Sequence, residues 1–276
     1  LKEWRINQIL NNSNFDFHPT DICNMSKLRD IFNNKIEGVI NLAARAGIRD
    51  SVKNPWDYYK TNVIGTINLL ELCKEFDINK FVLASTSSLY GETNEQPSSE
   101  THNTDYPLSP YTASKKAAET ICYTYHHLYN MDISIPRYFT VYGPAGRPDM
   151  AIFKFIQSIS EGVPVTIFGD GEQTRDFTYV DDIAKGTVLS LKKLGYQVIN
   201  LGSDKAVSVN SCISLIEDHL EKPAERKYFP THPADVRNTW ADITKAKELL
   251  KWKPETNLNK GIEETVRWYV ENQSWA

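Results

Sequence analysis

No C-x-x-C pair occurs in the 276 residues, and the four cysteines, Cys23, Cys73, Cys122 and Cys212, lie far apart. That spacing argues against a paired-thiol zinc site and a disulfide scaffold, and suits a reducing, cytoplasmic setting. The six histidines, His18, His102, His126, His127, His219 and His232, form no ligand-like grouping, so they are assigned to structure and no metal is expected. Long apolar runs are missing too, as is a signal peptide, so no membrane partner is expected. Charge of one sign is also scarce. With 31 basic against 35 acidic residues and a net charge of -4, the chain offers no general polyanion surface, and nucleic acid is not an expected partner. Any phosphate must be held by local groups. There is no initiating Met, and Leu1-Lys-Glu-Trp-Arg reads as the middle of a helix, as in a truncated chain.

What is present is an ordinary globular composition, 41% hydrophobic and 24% charged, long enough for one large or two closely joined domains. Residues 1–10 read as helix, 11–14 as a turn, 15–19 as a strand running into Asp21 and Ile22, and 25–33 as helix. A buried strand is expected at 38–44, a mostly core-facing helix at 55–75 and a short apolar strand at 81–85. Residues 91–110 read as a polar surface loop, followed by a helix from Tyr111 to about 128 and a strand at 131–139 with Pro136 near its end. This alternation implies a parallel sheet with functional loops at one edge. Beyond Gly143 the rhythm breaks. A helix at 152–161, a strand at 163–168, a hairpin-type turn at 169–171 and an answering strand at 173–180 follow. Residues 196–202 return to the main sheet, and the tail forms two amphipathic helices.

Chemistry concentrates in Ser109-Pro-Tyr-Thr-Ala-Ser-Lys-Lys116 and the hydroxyl run Ser85-Thr86-Ser87-Ser88. Tyr111 and Lys115 are four apart at a helix start, so they project from one face about one turn apart. A lysine ammonium beside a phenol favours the phenolate, bringing a hydroxyl with an unperturbed pKa of roughly 10 towards general-base range. The hydroxyl run ends a buried strand, which would deliver Thr86 to the same sheet edge. The small-residue run Leu42-Ala43-Ala44-Arg45-Ala46-Gly47 reads by itself as a tight strand-to-helix turn.

With Tyr90-Gly91 following, S-T-S-S-x-Y-G and then Y-x-x-x-K resemble the extended short-chain dehydrogenase/reductases, and within them the nucleotide-sugar epimerases that act on UDP-glucuronate. The resemblance runs from Leu1 to about Tyr269. It implies an α/β fold: a Rossmann-type doubly wound parallel sheet, lacking its first strand and Gly-rich turn in this chain, with a smaller α/β substrate domain. Residues 1–142 and about 181–202 would form the NAD-binding part, and 143–180 with 203–276 the nucleotide-sugar part. The family's G-x-x-G-x-x-G turn, which brings backbone to a pyrophosphate at a helix N-terminus, would lie before Leu1.

The same resemblance implies the site. Thr86, Tyr111 and Lys115 would be catalytic. NAD would be held by Asp21 and Ile22 beside adenine, by Leu42, Ala43, Ala44, Arg45, Asn62 and Ser85, by Tyr111 and Lys115, and by Tyr138 and Phe139. The UDP-sugar would meet Thr86, Ser87, Ser88, Thr140, Arg147, Val165, Phe168, Arg175 and Asp235. Ser87-Ser88 stands where related dehydratases and decarboxylases carry acids, and Thr140 where neutral-sugar epimerases carry Asn. Ala234 departs from the Gly of a P-G-D-V element. Arg147 would pair with the uronate carboxylate, and Arg49 would approach the same pocket or bridge to Asp50 or another surface acid. The implied reaction is NAD-dependent C4 epimerisation of UDP-glucuronate to UDP-galacturonate. UDP-glucose/galactose or N-acetylhexosamine 4-epimerisation, and a non-catalytic nucleotide-sugar-binding fragment, are the alternatives. A homodimer through a four-helix interface is implied as well.

Overall fold

The computed structural model describes residues 2–92, 95–231, 233 and 235–272. Leu1, His232 and Ala234, to which expectations were attached, lie outside the described residues. The first half runs α1 (Lys2–Asn7), α2 (Met25–Phe32), β1 (Val39–Asn41), α3 (Ile48–Lys53), α4 (Pro55–Tyr59), α5 (Gly65–Glu75), β2 (Lys80–Leu83), β3 (Ser85–Thr86), α6 (Pro110–Tyr129), β4 (Asp132–Tyr138) and β5 (Thr140–Tyr142). The second half runs α7 (Ala151–Glu161), β6 (Val165–Phe168), β7 (Thr174–Tyr179), α8 (Val180–Leu189), β8 (Tyr196–Leu201), β9 (Ala206–Ser208), α9 (Val209–Leu220), β10 (Arg226–Phe229) and α10 (Leu258–Glu271).

The main sheet is wholly parallel. β4 lies at its centre, with β2 and β3 successively on one side, β8 on the other, and β1 outside β2. Parallel order sends every carboxyl end to one edge, where Leu42, Thr86 and Phe139 emerge. Both faces are covered, as such sheets require. Leu70, Leu72, Phe81, Ile133 and Ile135 fill one side, and Tyr90, Phe139, Ile199, Leu201 and Trp252 the other. A third core gathers α7, α9 and α10 around β6 and β7.

Pro136 lies inside the central strand rather than near its end, and the ladder shows why this is tolerated. The Ile133 and Phe139 amides donate towards β8, to Gly195 O and Leu201 O, so the Pro136 nitrogen faces the opposite side. There β2 has stopped at Ser134 and β3 has not yet joined at Arg137. The missing N–H therefore falls at a gap between two neighbours.

Three further expectations are corrected. The hairpin around 169–171 does not form. β6 pairs in parallel with β10, while β7 pairs with β5 and β9, because the chain leaves one small sheet for another at this turn. Residues 15–19 form no strand; they run largely exposed, since a strand needs a ladder partner and, among the described residues, the sheet stops at β1. The stretch 91–110 is not simply a surface loop. Ser98, Thr104 and Ser109 are buried, Ser98 N donates to Trp240 O at 2.7 Å, and the Glu100 carboxylate accepts from Asn200 N at 2.7 Å. Its polar residues satisfy backbone at the sheet's end.

Candidate active site

Tyr111 occupies the first turn of α6, whose start is set by local chemistry. Pro110 has no N–H to leave unpaired, and the Ser109 hydroxyl accepts from Thr112 N at 3.2 Å. Lys115 follows one turn on and is 5% exposed. Thr86, at the end of β3, lies close enough to the Tyr111 phenol to ease loss of its proton, so strand end and helix start meet as the hydroxyl run suggested. Thr86 Oγ1 also caps the next turn by accepting from Ser88 N at 3.2 Å, leaving Ser87 and Ser88 half-exposed beside it.

Burial pushes the phenol of Tyr111 above its usual 10, and the Thr86 hydroxyl and the charge of Arg147 pull it partly back. Burial also pushes the ammonium of Lys115 down to about 8, against the opposing pull of the Glu119 carboxylate and Cys122. The cation acting on the phenol is thus Arg147, a residue the sequence suggested for a different task.

Arg147 is half-exposed and bidentate to Asp149, its Nε standing 3.0 Å from Oδ1. Together with Thr140, Gly143, Gly146 and Met150 it lines a small cavity after β5. The structure therefore brings Thr140 and Arg147 together. Arg5, which sequence reasoning did not single out, donates from α1 to Ala145 O and to Gly146 O, the latter at 3.1 Å. No sequence pattern links residue 5 to residue 145.

The other side of the sheet edge is held by Asn62. It sits in a widened π turn (Lys60–Ile64) joining α4 to α5, where Gly65 N reaches back to Lys60 O. Arg45 N donates to Asn62 Oδ1 at 2.7 Å, and Asn62 Nδ2 donates to Arg45 O at 3.0 Å and to Ser114 Oγ at 2.9 Å. Ser114 Oγ donates onward to Tyr111 O at 2.7 Å. One amide thus ties the loop after β1 to the helix carrying Tyr111. Leu42, 61% exposed, and the exposed Ala43 and Ala44 leave an open apolar wall there. Asp21 is exposed and accepts from Cys23 N at 2.8 Å, a bond that holds its carboxyl below the usual range. Ile22 turns onto α5, covering Gly65 so closely that an added Cβ would stand 2.5 Å from its Cδ1.

Several predicted contact residues are committed elsewhere. Ser85 Oγ donates to Glu119 at 2.6 Å. The Tyr138 hydroxyl lies 2.8 Å from Thr187 Oγ1, and Phe139 stacks on Tyr90 within the core. Val165 is corrected as a ligand wall: strand alternation turns Val165 and Ile167 inward and Thr166 and Phe168 outward, so Val165 is fully buried. Phe168 is available. Arg49 stacks 3.8 Å above its ring centroid and bonds Asp235 at 2.6 Å, so Arg49 joins Asp235 rather than Asp50, which lies 3.8 Å from Lys53. Arg175, whose guanidinium pKa is lowered by burial, donates to Thr174 O and Arg237 O, each at 2.8 Å. Among the described residues no cluster suited to a metal occurs, and no helix is long and apolar enough to cross a membrane.

A buried hydroxyl and phenol at the carboxyl edge of a parallel sheet, with a lysine one turn along, can move a proton to or from a carbinol. Known proteins share this frame. The family model described as GDP-mannose 4,6 dehydratase matches residues 1–265. The UDP-glucuronate 4-epimerase of Thermodesulfobacterium geofontis is 55% identical over 274 residues, covering 99% of this chain and 84% of the relative. The crystal structure of UDP-glucuronic acid 4-epimerase from Bacillus cereus with UDP-glucuronic acid and NAD superposes with TM-score 0.91 at 40% identity, covering 98% of this chain and 86% of that one. UDP-glucose 4-epimerase from Thermotoga maritima, solved with UDP-glucose, gives TM-score 0.91 at 30% identity, covering 97% and 94%. The chain belongs to the GDP-mannose 4,6 dehydratase family, within the nucleotide-sugar epimerase branch of the extended short-chain dehydrogenase/reductases.

Proposed function

We propose that the protein is an NAD-dependent 4-epimerase that interconverts UDP-glucuronate and UDP-galacturonate. The observation that carries this reading is that β3 ends at Thr86 where α6 begins with Tyr111 and Lys115 on one face, beside the cavity after β5 where Arg147 and Thr140 stand together. The relatives named above support it.

The residues present fit the cofactor. The exposed apolar wall of Leu42, Ala43 and Ala44 suits a flat ring; Asp21 and Ile22 would hold the adenine side and Lys115 the nicotinamide ribose. Bound NAD+ supplies the hydride acceptor: hydride leaves sugar C4 and later returns to its opposite face, so net redox change is zero. Tyr111, as phenolate, accepts the C4 hydroxyl proton and gives it back once the 4-ketone has turned. In the free protein the cation that favours that phenolate is Arg147, and Lys115 adds to it from one turn along the same face of α6. Thr86 holds the C4 oxygen, with Ser87 and Ser88 as further donors. Arg147 exchanges Asp149 for the sugar carboxylate, which would otherwise be costly to enclose, and Thr140 adds a donor. Arg175 meets the diphosphate as a planar fork, and Phe168, Arg49 and Asp235 line the nucleoside end.

On this reading the protein works in the cytoplasm, and two copies pair through the exposed sides of α5 and α6. Residues 1–142 and 181–202 form the cofactor unit, joined by residues 241–252, whose Ala241, Ile243 and Trp252 pack with Ile199 and Leu201. Residues 143–180 and the remainder of 203–276 form the sugar unit.

Purified protein given NAD+ and UDP-glucuronate should form UDP-galacturonate, followed by proton NMR of the C4 epimer; no new epimer overturns the proposal. A neutral UDP-sugar is the second reading, favoured by the Thermotoga maritima neighbour. Arg147→Ala separates the two: loss confined to uronate turnover supports the acidic sugar, and equal loss on UDP-glucose overturns it.

A further inference from the structure

Directly behind the proposed acid-base pair lies a buried ionic network that the mechanism above leaves unused. Glu119 is four residues beyond Lys115 and eight beyond Tyr111, so all three share one face of α6. Its carboxylate is 4% exposed and receives three hydrogen bonds: Arg137 Nε at 3.0 Å, Arg137 Nη2 at 2.7 Å and Ser85 Oγ at 2.6 Å. Arg137, also 4% exposed, donates its remaining arm to the Tyr90 hydroxyl at 3.1 Å, and Tyr90 donates to Asn200 Oδ1 at 2.6 Å. Ser85 immediately precedes Thr86. One carboxylate therefore connects the strand end that carries Thr86, the helix that carries Tyr111 and Lys115, and the central strand.

We propose that Glu119 and Arg137 are positioning residues for the Tyr111–Lys115 pair, orienting Thr86 through Ser85 and setting the electrostatic field in which Lys115 stays cationic and Tyr111 becomes phenolate. A merely structural pair is a weak explanation, because a buried ion pair is often no more stabilising than apolar residues of the same volume. The site's need for a fixed field direction accounts for its placement. The carboxylate end faces along α6 towards Lys115, and the guanidinium end is turned to β4 and Tyr90.

Of the other titratable groups presented to this network, Cys122 is the next on α6, its thiol pushed up by burial, Tyr196 of β8 donates its hydroxyl to Glu119 O at 3.3 Å, and Lys245, its ammonium pushed down by burial, stands on the Arg137 side. α5 brings Glu71, bonded to Tyr125 and Lys74, and Lys74. α3 brings Arg49 on Asp235, and Asp50 beside Lys53; from α4, Tyr58 meets Tyr111 edge-on at 6.2 Å.

The proposal rests on the epimerase reading, and its test is separable from that reading. Glu119→Gln keeps a shape and an acceptor for Ser85 but leaves Arg137 as an unbalanced cation near Lys115. Both limbs of the kcat–pH profile should then move to lower pH, by on the order of one unit. Arg137→Gln leaves the carboxylate unbalanced and should move them to higher pH by a similar amount. Arg137→Lys, which keeps the charge, should hold the limbs near wild type. A general loss of folding would lower activity without opposite displacements. Each variant carries its own signed expectation, so one that folds suffices. Limbs that stay at the wild-type pH, or that move against these signs, overturn the proposal, whereas wild-type protein inert towards every UDP-sugar overturns the epimerase reading instead.

Discussion

Tyr111 is drawn two ways in the free protein: burial keeps its proton on, while the Thr86 hydroxyl and Arg147 make it easier to lose. Lys115 has the complementary problem, since burial brings its ammonium down to about 8. The ammonium is charged below that value, whereas the phenol, held above its usual 10, ionises only at higher pH. The working state, with one proton between the two groups, therefore grows as pH rises to about 8 and then levels, so we expect kcat/KM, which reports the free enzyme, to climb up to about pH 8 and to flatten above it. Tyr111→Phe should lower kcat by about 10²- to 10⁴-fold while leaving UDP binding by calorimetry within about twofold, because the ring stays and only the transferable proton goes. A variant that keeps wild-type kcat removes Tyr111 from the chemistry. The pair itself was legible in the sequence, because a four-residue spacing on a helix fixes which side chains share a face. The role of Arg147 on the phenol was not, since it depends on how the turn after β5 folds back. Val165 was misread for a simpler reason: in a four-residue strand, the period of two assigns a face only once the core side is known.

Among the elements, the bridge between the loop after β1 and α6 has the clearest consequence. Asn62 satisfies Arg45 N, Arg45 O and Ser114 Oγ at once, and it can do so because the widened turn at Lys60–Ile64 lets a helical residue point its amide at a strand-end loop. Asn62→Ala leaves these partners without replacements. It should cost about 1–3 kcal/mol, seen as a lower urea midpoint at unchanged slope, and should weaken NAD binding more than UDP binding. Equal weakening of both, or none, contradicts the bridge. The helix over 55–75 was readable from apolar spacing, but the π turn within it was not, because a one-residue widening barely alters that spacing. The false hairpin at 169–171 shows the same limit at a turn. Gly169 and Gly171 do take positive φ, at 92° and 82°, yet a reversal says only that the chain turns and leaves open which strand it meets afterwards.

At the scale of the whole molecule, the outer sides of the helices around the site remain apolar. Trp56 is 81% exposed, and Ile64, Tyr123, Leu128 and Tyr129 are exposed with it, more than scattered single side chains require. Two copies paired through α5 and α6 would bury the α6 part of this surface, so sedimentation equilibrium should give a dimer and Leu128→Asp, on α6, a monomer with an unchanged circular dichroism spectrum. A monomeric wild type refutes the pairing. By itself the sequence determined the alternation of strands and helices, hence the parallel sheet and its functional edge, because local periodicity and cap chemistry act over a few residues. It also determined the Tyr111–Lys115 pair, for the same reason. Only the tertiary structure decided what stands around that pair: Arg147 beside the phenol, Asn62 clasping Arg45 and Ser114, and the Glu119–Arg137 bridge behind Lys115. Those contacts join residues 17 to 52 positions apart. Distances of that kind along the chain carry no local signature, and they become neighbours only when sheet order and helix packing have fixed where each segment lies.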